Sequence, residues 1–288
     1  MSEVPTLPSA VAERWRVAWG DEVVAAAARV MALPPPIDII FPPDRPPPFE
    51  GASLLPGHLR LPHTTAVAGL SGYADGCWWV QDIAVATPAK LLGQGEGRTV
   101  LDLCAAPGGK TMQLASAGWR VTAVDISESR LARLSENLAR TGLEAELVAA
   151  DVMKWQPPEP VDAILLDAPC TATGIYRRHP DVLHRVRPRA IAELAEVQKA
   201  MLGRVAEWLK PGGSLIYSVC SLEPEEGEQV AEDFIARRTD FEADPVPSTE
   251  LPFAAGRKAP NWLRCFPGAF EEAGGADGFF VARFKRLL

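Results

Sequence analysis

The sequence predicts an α/β protein: a Rossmann-like, mostly parallel sheet closed by a C-terminal antiparallel pair, with a small α+β subdomain in front of it. Three observations predict this. Beyond Thr99, short apolar runs alternate with stretches of helical periodicity, the pattern of strands joined by crossover helices. Val161 to Asp167, VDAILLD, is apolar almost throughout, as a strand covered on both faces must be. Thr99 to Thr111, TVLDLCAAPGGKT, runs from an apolar strand through a Gly/Pro turn into the helix-compatible MQLASAG, a strand–turn–helix unit.

In chain order, apolar residues and alanines recur at helical spacing from Val11 to Leu33, which predicts one or two amphipathic helices ended by Pro34. Prolines crowd the chain from there to Pro62, favouring extended segments and turns, with Ile37 to Phe41 as one edge strand. Gly72 to Val80 reads as another strand, in which Trp78 and Trp79 would face opposite sides, one in the core and one free to touch a ligand. Gln81 to Leu92 resumes a helical pattern. The subdomain is placed at residues 1–80 and the main domain at 81–288. Within the latter, Trp119 to Asp125 is the second strand, and Ser127 to Thr141 is a helix capped by Ser127 and closed by Gly142. Glu146 to Ala150, Val161 to Asp167 and Ser214 to Val219 are further strands. Ala190 to Leu209 is a long helix stopped by Pro211-Gly212-Gly213, and Glu225 to Arg238 another helix. Leu263 to Phe266 and Phe279 to Phe284 form the closing antiparallel pair. No internal repeat is present.

Composition narrows the function. With 288 residues, 47% of them hydrophobic, the chain can bury a sizeable core. No apolar run reaches the roughly 18 residues of a membrane span, and the first residues lack a secretory pattern. A cytoplasmic monomer is expected. The 5 cysteines form no C-x-x-C pair and have no histidine spaced to complete a zinc site, so reduced thiols and no metal are expected. A net charge of -8 excludes bulk electrostatic coating of nucleic acid. Any such contact needs a local basic patch. Tyr176 to Arg189, YRRHPDVLHRVRPR, supplies one through Arg177, Arg178, Arg185 and Arg187, with a solvated loop as the plain alternative.

In an open parallel sheet, ligands bind beyond the carboxyl ends of the strands. Those ends carry the turn Cys104, Ala105, Ala106, Pro107, Gly108, Gly109 and Lys110, then Asp125, Asp151, Asp167 to Cys170, and Cys220. The turn misses a P-loop by having cysteine in place of the first glycine, and misses the dinucleotide G-x-G-x-x-G more widely. An acid at the end of the next strand, Asp125, suits the ribose hydroxyls of a nucleoside cofactor. Two of the cysteines follow apolar strands within D-A-P-C and S-V-C-S, whereas a packing cysteine would more often sit inside an apolar stretch. Cys77 and Cys265 fit that packing description.

The segments LDLCAAPGGKT, VTAVD, LLDAPCTATGIYRRHPD and YSVCSLEPEEGEQV resemble, in order and spacing, the motifs of Sun-type RNA cytosine-C5 methyltransferases, whose nearest bacterial members modify small-subunit ribosomal RNA. The resemblance covers about residues 78–288, with WWVQDIA before the cofactor domain and DGFFVARF as its final strand. It implies S-adenosylmethionine as cofactor, with the turn Cys104 to Lys110 holding its methionine end, Asp125 its ribose and Asp151 its adenine. It also implies Asp167 facing cofactor and base, Cys220 as nucleophile, and Cys170 assisting product release. Val219 stands where the family's motif usually has threonine, and 80 N-terminal residues are too few for the helical RNA-binding domain of long members.

Such chemistry needs a thiol because carbon 5 of cytosine is a weak nucleophile until a thiolate adds to carbon 6. A carboxyl group donating to N3 would help, which requires a protonated Asp167. The base must be single-stranded or flipped out of a helix. A P-loop-like nucleotide hydrolase, a non-catalytic RNA-binding relative and a DNA methyltransferase are the alternatives, and the second strand-end cysteine at 220 favours the RNA enzyme.

Overall fold

The computed structural model describes residues 6–246 and 261–288. Two helices, α1 (Ser9–Trp19) and α2 (Asp21–Met31), meet at Gly20, whose φ of 92° suits glycine. A three-stranded antiparallel sheet follows, formed by β1 (Ile37–Ile40), β2 (His58–Leu61) and β3 (Trp79–Val80) in the order β2-β1-β3. The expected edge strand is therefore the central one: β1 pairs with β2 on one side and β3 on the other. The strand expected over 72–80 shrinks to two residues, because Ser71 to Cys77 turn to bring Trp78 Nε1 onto the Ser71 carbonyl at 2.9 Å. Both tryptophans are core, Trp78 among Ile39, Phe41 and Leu59, and Trp79 among Ile40, Met112 and Leu134. Neither is open to a ligand. The helical pattern of 81–92 yields only α3 (Thr87–Lys90) between turns.

The main sheet combines β4 (Thr99–Leu103), β5 (Arg120–Asp125), β6 (Glu146–Ala149), β7 (Val161–Asp167), β8 (Leu209–Val219), β9 (Phe241–Ala243), β10 (Trp262–Cys265) and β11 (Phe279–Arg286). Its order is β10-β11-β8-β7-β4-β5-β6, with β9 paired to β11. The β4, β5, β6, β7 and β8 pairings are parallel, and β11 runs antiparallel to β8, β9 and β10. Helices α4 (Gly109–Ser116), α5 (Glu128–Thr141), α6 (Val182–Arg185), α7 (Pro188–Ala206) and α8 (Glu228–Arg237) complete the chain. The long helix ends before the Pro-Gly-Gly. Val161 pairs with Leu209 and Ala163 with Ser214, so Pro211-Gly212-Gly213 bulges out of β8 rather than stopping a helix.

Period-two alternation explains why β7 and β8 are apolar on both sides. Ile164, Leu166, Leu215 and Tyr217 face α7 and α8, while Leu165 and Ile216 join Val100, Leu114 and Val281 on the opposite face. Helices α1 and α2 do not share a core with the small sheet. Val11, Trp15, Trp19 and Val30 pack on Tyr176, Leu183 and Leu222, and Trp19 Nε1 donates to the Leu222 carbonyl at 2.8 Å. They brace the two loops that follow Cys170 and Cys220. Among the described residues no helix is long and apolar enough to cross a membrane, and no His/Cys/Asp/Glu group could hold a metal ion.

Candidate active site

The carboxyl ends of β4, β5, β7 and β8 converge on a cavity of about 390 Å³. At the end of β4, Cys104 takes a φ of 61° and Gly108 a φ of 104°, which turns the chain into α4. A Cβ on Gly108 would lie 2.0 Å from Leu134 Cδ1, so only glycine fits against α5. Behind the turn, Thr111 donates to fully buried Asp102 at 2.6 Å. Burial pushes the Asp102 carboxyl up to about 7 against that hydrogen bond.

Asp125, at the end of β5, is buried and holds the turn. It accepts the Ala106 N–H at 3.1 Å and the Ser127 N–H at 2.9 Å, with Arg130 Nη1 at 3.5 Å. A carboxylate has about four acceptor sites, so two remain for a vicinal diol. Asp151 lines the same cavity but also caps its own turn, accepting the Met153 N–H at 2.9 Å. Cys104 and Ala106 are on the wall; Ala105, Pro107, Gly108 and Gly109 shape the turn behind it. The Cys104 thiol is pushed up to about 12 by burial and then by Asp167 and Asp125, which leaves its backbone as the useful part.

At the opposite end of the cavity, Cys170 Sγ and Cys220 Sγ are 3.5 Å apart. The Cys170 thiol is raised well above its ordinary value, first by its hydrogen bond with Cys220, then by burial and neighbouring negative charge. Asp167 accepts Lys110 Nζ at 2.7 Å and Ser218 Oγ at 2.8 Å. Lys110 thus reaches the end of β7 rather than serving only the turn.

Sequence reasoning missed several lining residues. Ile126, 71% exposed, and the exposed Met153 and Val197 give the cavity an apolar rim, the surface a planar base would cover. Ile126 had a readable signal, an isolated apolar residue between a strand-end acid and a helix cap. Arg130, Ser218 and the Lys110–Asp167 pair had none, since each depends on a partner distant in sequence.

The basic segment divides. Arg177 is buried and donates to the Gly274 carbonyl, and burial lowers its guanidinium below the ordinary value. Arg178 bridges Asp82 at 2.9 Å and Asp277 at 3.2 Å. The expected RNA contact at these two positions is corrected: their charges are committed inside the fold. Arg185 and Arg187 stay on the surface at α6, Arg185 with Asp181 at 3.2 Å and Arg187 on the His184 and Val186 carbonyls.

A mostly parallel sheet with acids at successive strand ends, a glycine turn and a cavity between them is the Rossmann-like fold of S-adenosylmethionine-dependent methyltransferases. The chain belongs to the 16S rRNA methyltransferase RsmB/F family, whose model matches residues 89–285. It is 42% identical over 233 residues to ribosomal RNA small subunit methyltransferase B of Klebsiella pneumoniae (strain 342), an alignment covering 79% of this chain and 51% of that protein. It therefore spans about half the length of the curated relatives it matches. Among solved structures, PH0851 superposes with a TM-score of 0.87 at 27% identity, covering 97% of this chain and 66% of that one. A methyltransferase homolog from Pyrococcus horikoshii superposes with a TM-score of 0.79 at 26% identity, covering 97% and 95%. Family membership displaces the nucleotide-hydrolase alternative.

The residues present fit S-adenosylmethionine: a buried acid with spare acceptor sites, an apolar rim, and a cavity that continues to the two sulfurs.

Proposed function

We propose that the chain transfers a methyl group to carbon 5 of a cytosine in RNA, with small-subunit ribosomal RNA as the substrate class, by way of a covalent bond between Cys220 and carbon 6. The observation that carries this is the Cys170–Cys220 pair, 3.5 Å apart at the end of a cavity that also holds Asp125 and Asp167. A C5 methyltransferase needs one sulfur to attack and another group to help it leave, and few other reactions call for both.

In this reading S-adenosylmethionine supplies the electrophilic methyl group. The turn Cys104 to Lys110 and Asp125 hold it, and Asp151 together with Ile126 and Met153 receives its adenine. Cys220 adds to carbon 6 as thiolate, with Cys170 Sγ 3.5 Å away. Lys110, joined to Asp167 at 2.7 Å, supplies the positive charge that offsets what addition pushes onto N3 and O2, while Asp167 accepts from the exocyclic amino group of the base. After transfer the C5 proton must leave before the Cys220–carbon bond can break, and Cys170 is the group at hand. Arg185, Arg187 and parts of residues 1–80 would meet the RNA backbone.

Two measurements test the reading. Binding of S-adenosylhomocysteine without binding of ATP is expected. Bisulfite sequencing of ribosomal RNA from cells with and without the gene should show one cytosine that loses protection when the gene is removed. An unchanged pattern, together with no methylation of RNA from the deletion strain in vitro, would overturn the assignment.

A further inference from the structure

Glu226 is fully buried beneath the two cysteine loops, with no ion pair among the described residues. Its carboxylate accepts the Thr171 N–H at 2.8 Å, the Thr171 hydroxyl, the Ser221 hydroxyl at 2.5 Å and Gln198 Nε2 at 3.1 Å. Thr171 directly follows Cys170, and Ser221 directly follows Cys220. One side chain thus holds the residues next to both sulfurs. The same Gln198 amide donates to the Pro169 carbonyl at 2.8 Å, and Tyr217 from β8 donates to the Glu226 carbonyl at 2.5 Å. The network therefore spans α7, β8 and both loops.

A buried carboxylate without a cation is costly, and a structural cap would not need one. The Thr171 N–H and the Gln198 amide meet one carboxylate oxygen and the two hydroxyls meet the other, so both oxygens are used as acceptors. The negative charge also has an electrostatic effect on the site, since it adds to the raised Cys170 thiol.

We propose that Glu226 is a positioning residue that clamps the loops of Cys170 and Cys220 so that the two sulfurs stay within reach of one pyrimidine carbon. This rests on the reading of those cysteines as the reacting pair, and the test separates the two. Glu226→Gln keeps the size but removes the charge and one acceptor oxygen, so the Thr171 and Ser221 hydroxyls lose the carboxylate oxygen they now share.

A trivalent arsenical such as phenylarsine oxide reads sulfur spacing without any methyl transfer. Two As–S bonds form, and the oxide oxygen leaves as water with both thiol protons. Wild-type protein is expected to bind it through Cys170 and Cys220, and Cys170→Ser to lose that binding. Glu226→Gln should weaken it about tenfold or more while kcat for RNA methylation falls about 100-fold, the scale of a misplaced reacting group, with KM for RNA near the wild-type value. If Glu226→Gln unfolds, Thr171→Val and Ser221→Ala each remove one arm and should show smaller losses of both readouts. Retained arsenical affinity and kcat in a folded Glu226→Gln, or losses that track thermal stability alone in all three variants, would overturn the clamp. Intact arsenical binding by the wild type with no methylation of any RNA would sink the methyltransferase reading and leave the clamp standing.

Discussion

Cys170 and Cys220 are 50 positions apart in sequence, yet their sulfur atoms meet at 3.5 Å because β7 and β8 are neighbouring parallel strands that deliver their ends to the same rim. Both cysteines are half-buried and line the cavity that also holds Asp167.

The roles proposed for the two thiols give them opposite phenotypes. Cys220→Ala should abolish methyl transfer, whereas Cys170→Ala should stall on RNA as an adduct that survives denaturing electrophoresis. An inactive Cys170→Ala with no adduct, alongside an active Cys220→Ala, would show the roles reversed.

Gly108 makes the glycine turn a stability prediction. Gly108→Ala combines a left-handed backbone with a Cβ 2.0 Å from Leu134 Cδ1. A loss of roughly 2–4 kcal/mol in urea unfolding is expected, with weaker S-adenosylhomocysteine binding as α4 shifts. A variant as stable as wild type would mean α5 can retreat at no cost.

The pH dependence of stability should carry the mark of Asp102. Its folded carboxyl sits at about 7 against an ordinary 3.8, so the folded state binds the proton more tightly than the unfolded chain. Its contribution is present below about pH 4 and is lost as pH rises through 7. Asp102→Asn can still accept from Thr111 and cannot ionise. Its stability relative to wild type should therefore grow between pH 4 and 7, by up to about 4 kcal/mol. A difference that stays constant across that window would contradict the raised carboxyl.

The arginines separate fold from binding. Arg178→Met leaves Asp82 and Asp277 buried without their shared cation and should cost about 3 kcal/mol or more of stability. Arg185→Ala with Arg187→Ala should leave the melting temperature unchanged. The pair should lower RNA affinity and reduce the salt dependence of binding by about two phosphate contacts. Unaltered RNA affinity at low salt would remove α6 from the interface.

The sequence by itself determined most strands of the main sheet, though not β9, and the list of strand-end residues. A strand buried on both faces is mostly apolar, and a left-handed turn residue pressed against a helix, as Gly108 is, has to be glycine. Thr99–Leu103, Arg120–Asp125 and Val161–Asp167 were legible for that reason, as was the closing of α5 by Gly142. Only the tertiary structure decided what those residues do to one another. Whether Ile37–Ile40 is an edge or a centre, whether Arg177 faces water or Gly274, and whether Lys110 serves the turn or Asp167 depend on partners far along the chain. Local periodicity records which face of an element is buried, but the identity of the neighbour across that face is set by packing, and the distance between two sulfurs on adjacent strands is set by packing as well.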